Sequence, residues 1–260
     1  MIRGPGVALI AALAVFGMAS SVEAQAAEGF SSDRPGYSNS TSAAPSLRPI
    51  IELGAGFTFD EDDPETLSGP NFLVRFGLSE WLELRLAIPS VVGIFVPDPG
   101  DNGVAFGDTT IGLKIAAAPT SSFSTSFVPS LSIATEGGVN TGRIEWNWAV
   151  ALGAVSIGGN LAGGTTNLGG AAVIQGEGSF AFGITITDAV GVYGQFFAIW
   201  PRGIDPLPYV GGGITAQIAS RFQLDASIDI GLTEATTRVT AGAGMTVLIG
   251  QGTPAAAPAQ

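Results

Sequence analysis

The chain has 260 residues, a net charge of −12, no cysteine and no histidine. That charge argues against nucleic acid as a partner, because phosphate binding draws on clustered Lys and Arg. No disulfide framework is available, and the commonest general base and metal ligand is missing.

In chain order, Arg3 is a short positive start, Val7 to Met18 is apolar, and Val22-Glu23-Ala24 offers small residues for cleavage. The pattern predicts a signal peptide over residues 1–24, its apolar run being too short to span a bilayer. Residues 25–48 are polar and turn-rich, with Asp33, Arg34, Pro35, Tyr37 and Pro45 and no strand period. They read either as a periplasmic leader or as a segment folded into a lumen. Pro49 to Phe59 alternates as a first strand, with Glu52 on one face and Leu53, Phe57 and Phe59 on the other. The acidic run Asp60 to Glu65 lacks the ligand spacing and turn glycine of a calcium loop and reads as solvated.

Asn71 to Pro89 reads as a hairpin with one greasy and one charged face. Phe72, Val74 and Phe76 face Leu82, Leu84, Leu86 and Ile88, while Arg75, Glu83 and Arg85 share the opposite face. A helix would scatter those charges among the leucines. With Gly77 opposite Trp81, Arg75 lies across from Glu83. The neighbouring register sets Arg75 against Arg85, and like charges directly opposite are destabilising. Charge therefore predicts the Arg75–Glu83 register, beside Arg85.

Ser90 to Phe106 reads as a long loop. Strands follow at Asp108 to Ala117, with Lys114 inward, and at Phe123 to Thr135, where Pro129 cannot donate to a ladder and suggests a bulge. Arg143 to Gly153 sets Ile144, Trp146 and Trp148 against Arg143, Glu145 and Asn147. Val155 to Thr165 is a weak strand and Thr166 to Ile174 reads as loop. Gln175 to Thr187, Val190 to Trp200, Tyr209 to Ala219, Phe222 to Gly231 and Arg238 to Ile249 complete the strands. Residues 250–260 are a Pro/Ala tail.

The count is about twelve strands, an even number. Turns alternate tight and long, and Trp81 and Trp200 sit at strand ends, as in an outer-membrane barrel. Mean hydropathy is +0.40, yet past the signal no apolar run reaches the roughly 20 residues of a spanning helix. Lipid tolerates only helices or sheets without edges. The sequence predicts an all-β fold: one antiparallel transmembrane barrel over residues 49–249, with both termini in the periplasm.

Four stretches carry a family resemblance: Ser32 to Ser40, with Asp33-Arg34-Pro35 ahead of Tyr37; Leu73 to Arg85; Gly107 to Lys114; and Phe222 to Ser227. They resemble outer-membrane transporters grouped with the meta-cleavage pathway of phenol degradation. The resemblance implies a bacterial outer-membrane location and passage of aromatic or other hydrophobic compounds.

No catalytic residue, metal ligand or cofactor site is expected. A Ser/His/Asp arrangement is impossible without histidine. Asp225 and Asp229 lie about 13 Å apart along one strand, too far for a carboxylate pair in hydrolysis. The glycine clusters lack the strand-turn-helix setting of a phosphate loop. The inward, lumen-lining residues are Glu52, Arg75, Glu83, Arg85, Lys114, Arg143, Glu145, Glu177, Asp225, Asp229 and Arg238. They either stiffen the wall by pairing or line a permeation path.

Two functions follow: a channel or transporter for small solutes, or a closed structural barrel whose long loops contact lipopolysaccharide or another cell. Expected partners are outer-membrane lipid and lipopolysaccharide, a small-molecule solute and the barrel-assembly machinery. Asp33, Arg34 and Tyr37 mark residues 30–48 as a candidate plug, with Arg34 expected to meet an inward carboxylate such as Glu52 or Glu83.

Overall fold

The computed structural model describes residues 30–59, 64–96, 102–117, 122–135, 137–236 and 238–250. The expected signal peptide, most of the acidic run and the tail beyond Gly250 lie outside the described residues. Strands β1 (Pro49–Phe59), β2 (Glu65–Gly77), β3 (Leu82–Ile88), β4 (Val91–Phe95), β5 (Gly103–Phe106), β6 (Thr109–Ala116) and β7 (Phe123–Ile133) come first. They are followed by β8 (Thr141–Leu152), β9 (Val155–Leu168), β10 (Ala171–Thr187), β11 (Val190–Pro201), β12 (Leu207–Ala219), β13 (Phe222–Gly231) and β14 (Val239–Leu248). All belong to one antiparallel sheet, and β1 pairs with both β14 and β2, which closes it.

The closed wall has twelve strands, because two of the fourteen continue others. β3 pairs with β2 as far as Phe72↔Ile88, and β4 resumes the same register at Gly69↔Val91. On the other side Ala87↔Thr110 and Val91↔Phe106 also share one register. The amide of Gly107 donates to the Ser90 carbonyl across the break at 2.8 Å. One strand is thus interrupted at Pro89–Ser90, where proline has no N–H for the ladder. Its neighbour is interrupted at Gly107–Asp108. Ser90 to Phe106 is therefore not the expected loop but largely the upper part of this hairpin.

Three further expectations are corrected. Thr166 to Ile174 is strand on both sides of a two-residue turn, Gly169-Gly170, with φ of +58° and +83°. Positive φ at both positions matches the strand twist and is open to glycine at no steric cost. Pro129 makes no bulge. It pairs with Ile144, and Gly112↔Ser130 and Ile115↔Phe127 keep one register on its other side. Finally, Arg75 stands opposite Arg85, and Gly77 opposite Glu83. The register that pairwise charge rules disfavour is the one adopted.

The interior is polar and the exterior apolar. Leu84 and Leu86 on β3, Phe180 and Phe182 on β10, and Ile228 and Ile230 on β13 are exposed. Lys114, Ser126, Asn147, Asn160 and Thr246 are fully buried. That inverts a soluble protein and suits a lipid surround. A small apolar cluster of Ala44, Ile50 and Leu248, with Phe30 against it, sits where both ends of the wall emerge. At that rim the turns at Gly153-Ala154, Asp188-Ala189 and Ser220-Arg221 are tight. The opposite rim carries the longer connections and the protruding β9–β10 ribbon, whose strands have 14 and 17 residues.

Candidate functional site: the lumen and the N-terminal segment

Residues 30–48 run inside the barrel and bond to its inward side chains. The wall of β1, β2, β3 and β6 presents two carboxylates, Glu52 and Glu83, and three cations, Arg75, Arg85 and Lys114. This leaves one positive charge in excess. Asp33 of the segment supplies the missing anion. Its carboxylate accepts from Arg85 Nη1 at 2.5 Å and Lys114 Nζ at 2.8 Å, and lies 3.4 Å from Arg75 Nη1. Arg75 is fully buried and also donates to Glu83 and Glu52, each at 2.9 Å. Charge-assisted bonds of this kind are the strong ones, and each buried charge here has a partner. Burial disfavours ionised Asp33, but Arg75, Lys114 and Arg85 outweigh it and hold its carboxyl well below the usual range. The close Arg75–Arg85 pair survives because a third element screens it.

The segment's backbone is fastened to the same wall. The Asp33 amide donates to Glu52 at 3.0 Å and the Ala44 amide to Glu83 at 2.6 Å. The Leu47 amide donates to the Gly77 carbonyl at 2.8 Å. A Cβ on Gly77 would stand 2.3 Å from the Pro45 carbonyl oxygen, so the chain approaches there only because Gly77 has no side chain.

Arg34 meets an inward carboxylate, as expected from the sequence, but it is Asp225, at 3.2 Å, rather than Glu52 or Glu83. Its guanidinium lies against the cross-strand pair Gly54↔Gly244, where a Cβ on Gly54 would sit 2.1 Å from it. Asn39 links the first wall to the second: it accepts from Arg85 at 2.9 Å and donates to Glu145 at 2.7 Å. Glu145 also pairs with Arg143, which holds Glu177 at 2.7 Å.

Tyr37 occupies the second wall. Its ring lies 4.1 Å from Phe197 and within 8° of parallel, and Phe197 in turn stacks on Tyr209 at 4.8 Å. Its hydroxyl donates to Glu177 at 2.8 Å and its amide to Gln195 at 2.9 Å. Burial and the Glu177 carboxylate raise the phenol above its usual range, so it stays neutral and donating.

Asp229 accepts from Gln195 at 2.8 Å. Arg238 has inward parity but precedes β14 and is exposed. Phe197, Tyr209, Gln195, Asn39 and Ser40 were not singled out by the sequence. Adjacent Phe196 and Phe197 did carry a signal, since alternation sends one of the two inward.

The lumen keeps open space beside the segment. One cavity of about 320 Å³ has Asp33, Arg34 and Glu52 on its floor and reaches Asn71 and Asp108. Another, about 270 Å³, lies between Ser38–Thr41 and the wall near Gly158, Tyr193 and Gln195.

A closed polar-lined barrel with this opening motif has a known family. Residues 32–249 match the family model described as "Putative MetA-pathway of phenol degradation". The chain belongs to that family. Comparison with curated proteins gives no match. Among solved structures, an outer-membrane channel from Pseudomonas putida F1 is similar to this member at a TM-score of 0.61 and 11% identity, covering 83% of this chain and 99% of that one. The NanC porin aligns at 0.55 and 7%, covering 76% and 98%. The KdgM porin aligns at 0.50 and 10%, covering 75% and 98%. At these identities the likeness is one of fold: that of an outer-membrane β-barrel.

Proposed function

We propose that this protein is an outer-membrane channel for small solutes whose lumen is plugged by its own residues 30–48. The observation that carries the reading is the placement of Asp33 among Arg75, Arg85 and Lys114, inside a closed wall of twelve strands. A disordered leader needs no such site, and the wall carries an uncompensated positive charge without it. Burying charge unpaired is expensive. The remaining inward charges are candidates for setting selectivity along the path.

The family description names phenol degradation, which favours aromatic compounds as the solutes. In this reading the apolar exterior meets lipid, the long-loop rim meets lipopolysaccharide, and the chain enters the membrane through the barrel-assembly machinery.

Current through the purified protein in a planar bilayer tests the reading. Intact protein should pass a small current, and protein lacking residues 30–45 a larger one. Unchanged current in a deletion variant that still folds rejects the plug. No current from either form rejects the channel and leaves a closed structural barrel.

A further inference from the structure

The two halves of the N-terminal segment are held by different chemistry. Asp33 and Ala44 are fixed by charged side chains of the first wall. The tip at Gly36–Ser38 meets the second wall through a ring stack and single hydrogen bonds. Tyr37 there is a phenol lying in a slot made by other residues. Phe197 backed by Tyr209 gives a flat aromatic platform. Glu177 gives an acceptor aimed at the ring's hydroxyl, and Arg143 and Gln175 orient that acceptor at 2.7 and 2.8 Å. The 270 Å³ cavity touches Gly36, Ser38 and Gln195, so space adjoins the tip.

We propose that this slot is a binding site for a free planar ring bearing a hydroxyl, and that Tyr37 is its built-in competitor. The inference rests on reading the lumen as a solute route. A free ligand with Tyr37's chemistry can make Tyr37's contacts: the ring face stacked on Phe197 and the hydroxyl donating to Glu177. Being tethered, Tyr37 competes at a high effective concentration, so the intact protein binds such a ligand weakly. Displacing Tyr37 moves the tip and leaves the Asp33 anchorage in place. The solute would thereby widen its own path.

The test uses full-length protein in detergent and 4-methylphenol, which is the tyrosine side chain cut free. At neutral pH it is uncharged. Binding is measured by titration calorimetry against empty micelles. Tyr37→Ala should bind it at least about tenfold more tightly than wild type, since the tethered competitor is gone. Adding Phe197→Leu, or Tyr209→Leu as a second platform variant, should abolish that gain. 4-Methylanisole, whose oxygen cannot donate, should bind Tyr37→Ala more weakly than 4-methylphenol. No gain in Tyr37→Ala, a gain that survives both platform variants, or equal binding of the two probes overturns the proposal. Bilayer current of Tyr37→Ala separates this from the channel reading. Larger current without tighter binding sinks the slot alone, whereas tighter binding with no current from any form sinks the channel and leaves the slot.

Discussion

The wall of β1, β2, β3 and β6 and the wall of β9 to β12 share one backbone pattern, yet they treat the N-terminal segment differently. The first is crowded with charge and one anion short, so the segment completes it. The second is rich in glycine, with Gly158, Gly159, Gly163 and Gly164 on β9 and Gly211 to Gly213 on β12. It meets the segment's neutral groups through the Phe197 ring, the Ser179 hydroxyl, the Gln195 amide and the Glu177 carboxylate. The difference teaches that one segment can be structural on one side and displaceable on the other. A buried cation cannot be left without its counter-ion cheaply, whereas a neutral contact is exchanged for a ligand's.

The largest effect should come from breaking the charged side. Asp33→Asn leaves three buried cations facing two wall carboxylates, and removing one partner of a buried ion pair costs about 3–5 kcal/mol. The variant should unfold at lower urea, read from gel mobility of unheated samples, and pass more current. An unchanged midpoint would mean that the segment is not structural.

The outward face of the same wall gives the next effect. Leu84 lies between Glu83 and Arg85, third from the start of β3, and is 41% exposed. Leu84→Arg should cost about 2 kcal/mol in lipid, at the low end of the range for a cation at the midplane, because Leu84 lies nearer one rim. Urea titration in lipid vesicles measures it. Tolerance of that arginine would count against a membrane-facing surface.

A smaller effect is expected where Arg34 lies over β1 and β14 and reaches β13. Gly54→Ala places a methyl where the guanidinium lies, and the flexible end of Arg34 can move aside. The Arg34–Asp225 pair is lost; Arg34 is partly exposed but the Asp225 side chain is buried, so the cost should be about 1–2 kcal/mol. Arg34→Ala should add almost nothing in that background. Full additivity of the two changes would show that they act separately.

The smallest response should be to mild acid. Asp33 has its carboxyl depressed, so its stabilisation is present above the unfolded value of about 4 and is lost only as pH falls through the lower folded value. Current should therefore show no plug release between neutrality and about pH 4. Release near pH 5 would place the controlling group elsewhere.

Alternation alone was enough to say which faces of β3, β8, β10 and β13 meet lipid, because side chains on a strand must alternate and charge cannot face hydrocarbon. It also singled out Arg75, Glu83, Arg85, Lys114, Glu145 and Glu177, which lie on the wall beside the segment. The glycine turn at Gly169-Gly170 was legible too, as two residues suited to positive φ between alternating runs, and reading it as loop overlooked that chemistry. The continuation of β3 into β4 was hidden by Pro89, which breaks the local pattern without shifting the register.

The partner of each charge was settled only by folding. Pairwise rules set Arg75 against Glu83 because they consider two strands at a time. In the folded chain Asp33 arrives from a third, non-adjacent segment and makes Arg75 opposite Arg85 acceptable. Arg34 likewise finds Asp225 along the wall of β1, β14 and β13, and Tyr37 finds Phe197, over distances along the chain that no local spacing encodes. The sequence by itself determined the wall and its two faces, since those follow from the backbone's period of two. The closed barrel decided which inward groups meet, since only its curvature brings them within reach.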